Sequence, residues 1–334
     1  MSTIKKKKPY LFLDSKSKLN LDQFVWPISY KETCEIRDSL EKDFISKLNV
    51  ELPRKNFSWK ILRILMFEIF RDTLMCWQLN ELKNRLSKLD FDVKIPEIGY
   101  DFLKSLYDQE LFTFSSISSS LKNGISKPPK YKMPLRYLKN SLLHRDIKFK
   151  FLKDINKNDI VLLSNNNFII NHANLIQKKD NLSIFLVSFW EWFNLSKQEK
   201  QSILNYNNFS EHVLDELLHI IENTFKKFNS NFSPLIEKRL KNWIKISSNF
   251  VGFYLERIYS NPELIPKTLW YGSVNNWWTR IIRTCVLETG GINVGHDHGP
   301  SLGFAPNSGQ HVTHFDLCDV MYTFSNIFCQ SLVK

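Results

Sequence analysis

The chain is poor in the residues that cross-link or sharply bend a fold. Its 334 residues include ten glycines, twelve prolines and five cysteines. The cysteines (Cys34, Cys76, Cys285, Cys318, Cys329) are odd in number, scattered and never spaced as CxxC. That pattern excludes a disulfide framework and reads as reduced, cytoplasmic thiols. No stretch reaches the roughly 18 apolar residues of a transmembrane helix. The Lys5–Lys8 cluster is followed only by the short apolar run Tyr10–Leu13, which is too short for a signal peptide. HExxH, a GxGxxG opening a helix, a GxSxG elbow and an aromatic RNA-binding strand are all missing. Their absence removes the best-marked routes to a zinc protease, a dinucleotide enzyme, a serine hydrolase and an RNA binder.

Apolar residues make up 43% of the chain and aromatics 14%, ample for a packed core. The net charge is +12, but the lysines are spread along the chain rather than gathered on one stretch, so nucleic acid is not an expected partner. The densest basic segment is 125–153, "ISKPPKYKMPLRYLKNSLLHRDIKFKFLK". It fits a peripheral contact with an anionic membrane, or the holding of an anionic substrate; a solvated lysine-rich loop is the plain alternative.

Strand and helix signals alternate. "PYLFLD" (9–14) reads as a buried opening strand. Residues 34–49 repeat Ile36, Leu40, Phe44 and Leu48 at helical spacing, and 56–86 reads as a long, largely buried helix with Ser58 as N-cap. A serine run, Gly124 and Pro128-Pro129 mark 111–135 as loop. "NDIVLLSN" (158–165) and "NLSIFLVSF" (181–189) are continuous apolar runs, as in strands covered on both faces of a parallel sheet. Helices are expected near 197–205, 209–227 and 234–259. After them come a strand (267–273), a helix (275–291) capped by Asn275 or Asn276 and ended by Gly290, and strands at 292–296 and 319–325. The fold class expected is α/β, with a mostly parallel, doubly wound, Rossmann-like sheet and helical insertions. The expected divisions are a strand-plus-helix region (1–110), a basic linker (111–150) and the sheet region (151–334).

One stretch concentrates chemistry. "GGINVGHDHGPSLGFAPNSGQHVTHFD" (290–316) holds four of the eight histidines and six of the ten glycines. It leaves the carboxyl end of a predicted strand, where α/β sheets hold ligands. Three readings stay open. His296, His298, His311 and His314, with Asp297 and Asp316 nearby, supply donors for zinc or manganese in a hydrolase or phosphoesterase, although the spacing matches no metal motif. Alternatively the stretch lines a phosphate, carboxylate or sugar pocket: Gly295, Gly299 and Gly303 allow close backbone approach, and a histidine acts as base. Ser273, His311 and His314 join these glycines as substrate-binding candidates. The third reading is a structural turn with solvent-facing histidines, or a non-catalytic carbohydrate-binding module. No tightly bound cofactor or metal is expected. His144, His172, His212 and His219 have no partners recognisable in the sequence.

"NFSWKILRILMFEIFRDTLMCW" resembles the "RYWRILLGPWL" helix of a family of bacterial surface-carbohydrate transferases. "IPKTLWYGS … WWTRIIRTCVLETGGINVGHDHG … DVMYTFS" is similar to that family's other pattern. There a strand ends in Thr or Ser, a helix follows, and the next strand runs into a His-Gly-rich loop before a closing strand with Asp. The resemblance implies a GT-B-like glycosyltransferase of surface-polysaccharide biosynthesis. Such an enzyme takes a nucleotide-sugar donor as substrate and a glycan or lipid-linked acceptor, in the cytoplasm or peripherally at the inner membrane. The family's His-Gly pair falls on His298 and Gly299, and its next glycine on Gly303, with His298 or His296 as the base. This chain reads His-Asp-His-Gly-Pro where the family has Gln-His-Gly-Gly. Family members also carry a second Rossmann-like, donor-binding domain beyond this loop, so the resemblance implies that this domain is missing from these residues.

Overall fold

A computed structural model describes residues 10–12, 28–51, 56–88, 92–94, 147–151, 154–156, 158–163, 167–188, 198, 202–203, 205–230, 232, 234–272, 277–296 and 317–322. In chain order the elements are β1 (Tyr10–Phe12), α1 (Tyr30–Glu51), α2 (Phe57–Lys88), β2 (Asp92–Lys94), β3 (Lys148–Phe151), β4 (Ile160–Leu163) and α3 (Asn167–Asp180). Then come β5 (Ile184–Ser188), α4 (Glu211–Lys227), α5 (Pro234–Tyr259), β6 (Thr268–Tyr271), α6 (Trp277–Glu288), β7 (Ile292–His296) and β8 (Val320–Tyr322). They form two compact units: Met1–Arg54 with Ile69–Ser126 and Ser210–Ser247, and Lys55–Glu68 with Lys127–Phe209 and Ser248–Lys334.

The first unit is mainly helical. Ser29 caps α1 in a reciprocal box: Glu32 N–H donates to Ser29 Oγ (3.1 Å) and Ser29 N–H to the Glu32 carboxylate (2.8 Å). Arg85 grips the same carboxylate at 2.7 Å, and chiefly this bond pulls the Glu32 pKa down to about 2. Ile36, Leu40, Phe44 and Leu48 are buried, as their spacing predicts, and so are Leu214, Leu217, Leu218 and Ile221 of α4. Lys47 of α1 and Glu216 of α4 pair at 3.0 Å. The opening strand is present at Tyr10–Phe12, where it pairs in parallel with Asp92–Lys94 in a two-stranded sheet.

The second unit is built on a six-stranded sheet in the order β3-β5-β4-β6-β7-β8, every neighbouring pair parallel. From β4 the chain turns to β5 on one side, and from β6 to β7 on the other. The carboxyl ends of β4 and β6 therefore flank the topological switch point. Successive residues alternate between the two faces. On one face α3 sets Ile169, Ile170 and Ala173 against Leu162, Ile184, Leu186 and Trp270. On the other, α6 sets the Arg283 guanidinium over the Tyr271 ring at 4.2 Å. Ile281, Ile282, Cys285 and Val286 of α6 are fully buried. Gly290 ends that helix with φ +75°, the left-handed geometry its position predicts.

Three elements went unforeseen, the shortest of them β2. Lys148–Phe151 begins in the last residues of the stretch read as basic linker (111–150), yet it forms the edge strand beside β5. Lys150 explains why a lysine-rich strand is tolerated there: its ammonium bonds Asp159 at 2.6 Å and stands over the Phe185 ring. Helix α3 was not expected because Asn, Gln and Lys dilute its apolar stripe. The cap of α2 is also corrected. Asn56, not Ser58, accepts from the first helical N–H groups, at 3.0 and 3.3 Å from Ser58 N and Trp59 N. The buried character of α2 holds, with Trp59, Leu62, Leu65 and Ile69 at most 2% exposed. The predicted 111–135 loop lies outside the described residues. Among the described residues, no helix is long and apolar enough to cross a membrane.

Candidate functional site

Three adjacent strands bring aromatic rings to the carboxyl edge of the sheet, on the α3 face. Trp270 stands near the end of β6, His296 is the last residue of β7, and Tyr322 is the last of β8, in register with His296. The three rings lie roughly parallel: Trp270 and Tyr322 stack at 5.5 Å and 25°, and His296 and Tyr322 lie 6.0 Å apart at 30°. His172 of α3 stands across them. Its ring is near-perpendicular to Trp270 (83°), His296 (82°) and Tyr322 (83°), with centroids 5.1 to 5.5 Å away. His172 Nδ1 and His296 Nε2 are 3.3 Å apart.

Burial grades the cluster. Trp270 and His296 are 4% and 3% exposed, whereas Tyr322 is 36% exposed, so the group opens toward solvent at Tyr322. The buried Trp270 Nε1 has no hydrogen-bond partner among the described residues. A buried donor left unmade costs about 1–3 kcal/mol. Burial, reinforced by the neighbouring His296, lowers the pKa of His172, so this ring stays neutral near neutral pH.

Of the expected site residues, His296 sits in this cluster. Its neighbour Gly295 faces the other way. A Cβ there would meet Met321 Sδ at 2.7 Å, Cys318 Sγ at 2.8 Å and the Tyr271 hydroxyl at 3.0 Å, so the missing side chain makes room for protein atoms. Ser273, His298, Gly299, Gly303, His311 and His314 lie outside the described residues. The expectation that His172 lacks a partner is corrected: its partner is His296, 124 residues away. His212 and His219 lie on α4 within 4.0 Å of Glu216 and Glu222. Among the described residues, no three His, Cys, Asp or Glu side chains gather to hold a metal ion.

Sequence reasoning missed His172, Trp270 and Tyr322. A signal existed for the first: Ile169, His172 or Ala173, and Ile176 recur at helical spacing directly after an apolar strand, which sets a histidine beside the buried stripe. The partner of the α6 N-terminus was also missed. That N-terminus lies at the switch point, where an α/β fold commonly seats a phosphate. Here the buried carboxylate of Glu68 occupies it, accepting from Trp277 N–H at 3.0 Å. A second anion at that N–H would be repelled and displaced.

No family model matches the chain, nor does any curated protein or solved structure.

Proposed function

We propose that this protein takes part in sugar transfer for surface-polysaccharide assembly, and that the second unit presents the acceptor sugar to its donor. The observation that carries the reading is His296. It is the last residue of a strand in an all-parallel sheet, it lies among Trp270, Tyr322 and His172, and the "HDHG" run of the sequence begins with it. The chemistry suits a neutral sugar. Aromatic faces pack against the apolar C–H faces of a pyranose, and imidazole nitrogens and the tyrosine hydroxyl exchange hydrogen bonds with its hydroxyls. Glu68 on the α6 N-terminus argues against seating the donor's pyrophosphate at that helix.

In this reading His296 takes the proton of the acceptor hydroxyl as that oxygen bonds to the donor's anomeric carbon. The anomeric C–O(phosphate) bond breaks, and the nucleotide (a diphosphate from UDP-, GDP- or dTDP-linked donors, CMP from a CMP-linked one) leaves with the electron pair. His298 is the second candidate base. A GT-B arrangement, a nucleotide-sugar substrate, a glycan or lipid-linked acceptor and peripheral contact with an anionic membrane all belong to this proposal.

The test is transfer of labelled sugar from UDP-, GDP-, CMP- and dTDP-linked donors to lipid-linked and soluble glycan acceptors by the full chain. Transfer that Tyr322→Ala weakens through KM supports the reading. Release of phosphate from phosphoesters with added zinc or manganese, and no sugar transfer, would replace it with the metal-dependent hydrolase.

A further inference from the structure

We propose that His172 and His296 together chelate a d-block cation, zinc or copper(II), through the two ring nitrogens that face each other. His172 Nδ1 and His296 Nε2 stand 3.3 Å apart. Two nitrogens bound at about 2.0–2.1 Å to a tetrahedral ion are about 3.3–3.4 Å from each other, so the pair already has the spacing of neighbouring ligands on zinc. Such an ion sits to one side of the line between the nitrogens, so the rings need to tilt but not to separate.

The pair is held by its neighbours. His172 comes from α3 and His296 from the end of β7, and Trp270 and Tyr322 pack crosswise against the His172 ring at 5.5 and 5.1 Å. Imidazole selects among cations: zinc, copper and nickel take nitrogen, whereas magnesium and calcium take oxygen. Copper(II) should bind more tightly than zinc, following the general order of divalent affinities. The remaining positions on the ion belong to water, and the group opens toward solvent at Tyr322. With two protein ligands instead of the four of a structural zinc site, the cation is exchangeable. This is not the set of His296, His298, His311 and His314 expected from the sequence, because the second ligand lies 124 residues away on another element. One consequence rests on the transfer reading above, although the site itself does not. A neutral imidazole has a single lone-pair nitrogen, so a His296 bound to metal through Nε2 carries its proton on Nδ1 and cannot act as a base. Bound cation therefore silences transfer.

The full chain, stripped of metal, is titrated with copper(II) and with zinc against a chromophoric chelator at about pH 7.5, where imidazole is largely neutral. His172→Ala is expected to weaken the tightest copper binding at least about tenfold, the least that losing a residue which merely supports a ligand costs a metal site. A double variant, His212→Ala with His219→Ala, removes the exposed histidines beside Glu216 and Glu222 of α4 and should bind as the unaltered chain does. Nitrogen-15 spectra of the histidine rings in the unaltered chain need no variant: zinc should shift His172 Nδ1 and His296 Nε2 together. Copper affinity that survives His172→Ala, or zinc shifts confined to other rings, overturns the proposal. In the transfer assay zinc should inhibit the unaltered chain, and excess chelator should restore it. Zinc that shifts both rings but leaves transfer at its full rate keeps the metal site and removes His296 as the base.

Discussion

The two faces of the parallel sheet are made from alternating residues of the same strands, yet they are lined differently. On the α6 face, Tyr271, Asn293 and Gly295 meet buried partners. Arg283 covers the Tyr271 ring, Asn293 Nδ2 donates to the Arg283 carbonyl at 2.8 Å, and Cys318 and Met321 fill the space beside Gly295. Arg280, also fully buried, reaches the carbonyls of Arg63 and Ile64 at 2.7 and 3.1 Å. On the α3 face, one residue along each strand, Trp270, His296 and Tyr322 form a row of rings that ends in a partly exposed tyrosine. The lesson is that a period of two lets neighbouring residues of a short strand meet different surroundings. Gly295 lies against Met321, Cys318 and Tyr271, and His296 lies among the rings of the other face.

Variants on the packed face should break the fold rather than the chemistry. Arg280→Ala removes two charge-assisted hydrogen bonds, each worth roughly 1.5–3 kcal/mol, so a loss of about 3 kcal/mol or more is expected in urea unfolding. Gly295→Ala is next. Its methyl would sit under 3.0 Å from two sulfur atoms, and overpacking of this kind costs about 1–3 kcal/mol. A neutral result there would mean that Met321 and Cys318 yield readily and that this face is looser than described.

The α3 face should show itself through pH. The folded pKa of His172 lies below its ordinary 6.5, so folding favours the neutral ring. That stability is fully present above the unfolded value and is lost as pH falls through 6.5 toward the lowered folded value. Unfolding curves between pH 8 and 5 should therefore show declining stability, and His172→Phe should flatten the decline. An equal slope in both proteins would assign the decline to other groups. The smallest effect belongs to the first unit's surface. Lys47→Ala removes an ion pair with Glu216 that solvent screens, and about 0.2–1 kcal/mol is expected from the same unfolding measurement.

Much of the second unit was legible in the sequence because its signals are local. "IVLL" and "IFLVS" are apolar on both faces, and the helix from Trp277 to its glycine stop repeats at 3.6 residues. Those features led to a parallel α/β sheet and to the carboxyl end of β7 as the place for a site. β3 was hidden because "KFKF" reads as basic linker until Asp159 and Phe185 are placed beside Lys150. The cap of α2 was misread by two residues because Asn56 and Ser58 are both good caps. The His172–His296 pair and the Glu68 cap of α6 were not legible at all. Each joins residues more than a hundred positions apart, and no local period carries such a distance.

The central claim is that the ring-lined end of the α3 face is where chemistry happens, with His296 as base. It is tested most directly by His296→Gln, which keeps an ε-nitrogen toward His172 but has no basic lone pair. The account predicts a kcat for sugar transfer lowered about 10²–10⁴-fold, with the unfolding midpoint close to that of the unaltered chain. A variant that transfers sugar at the unaltered rate would contradict it.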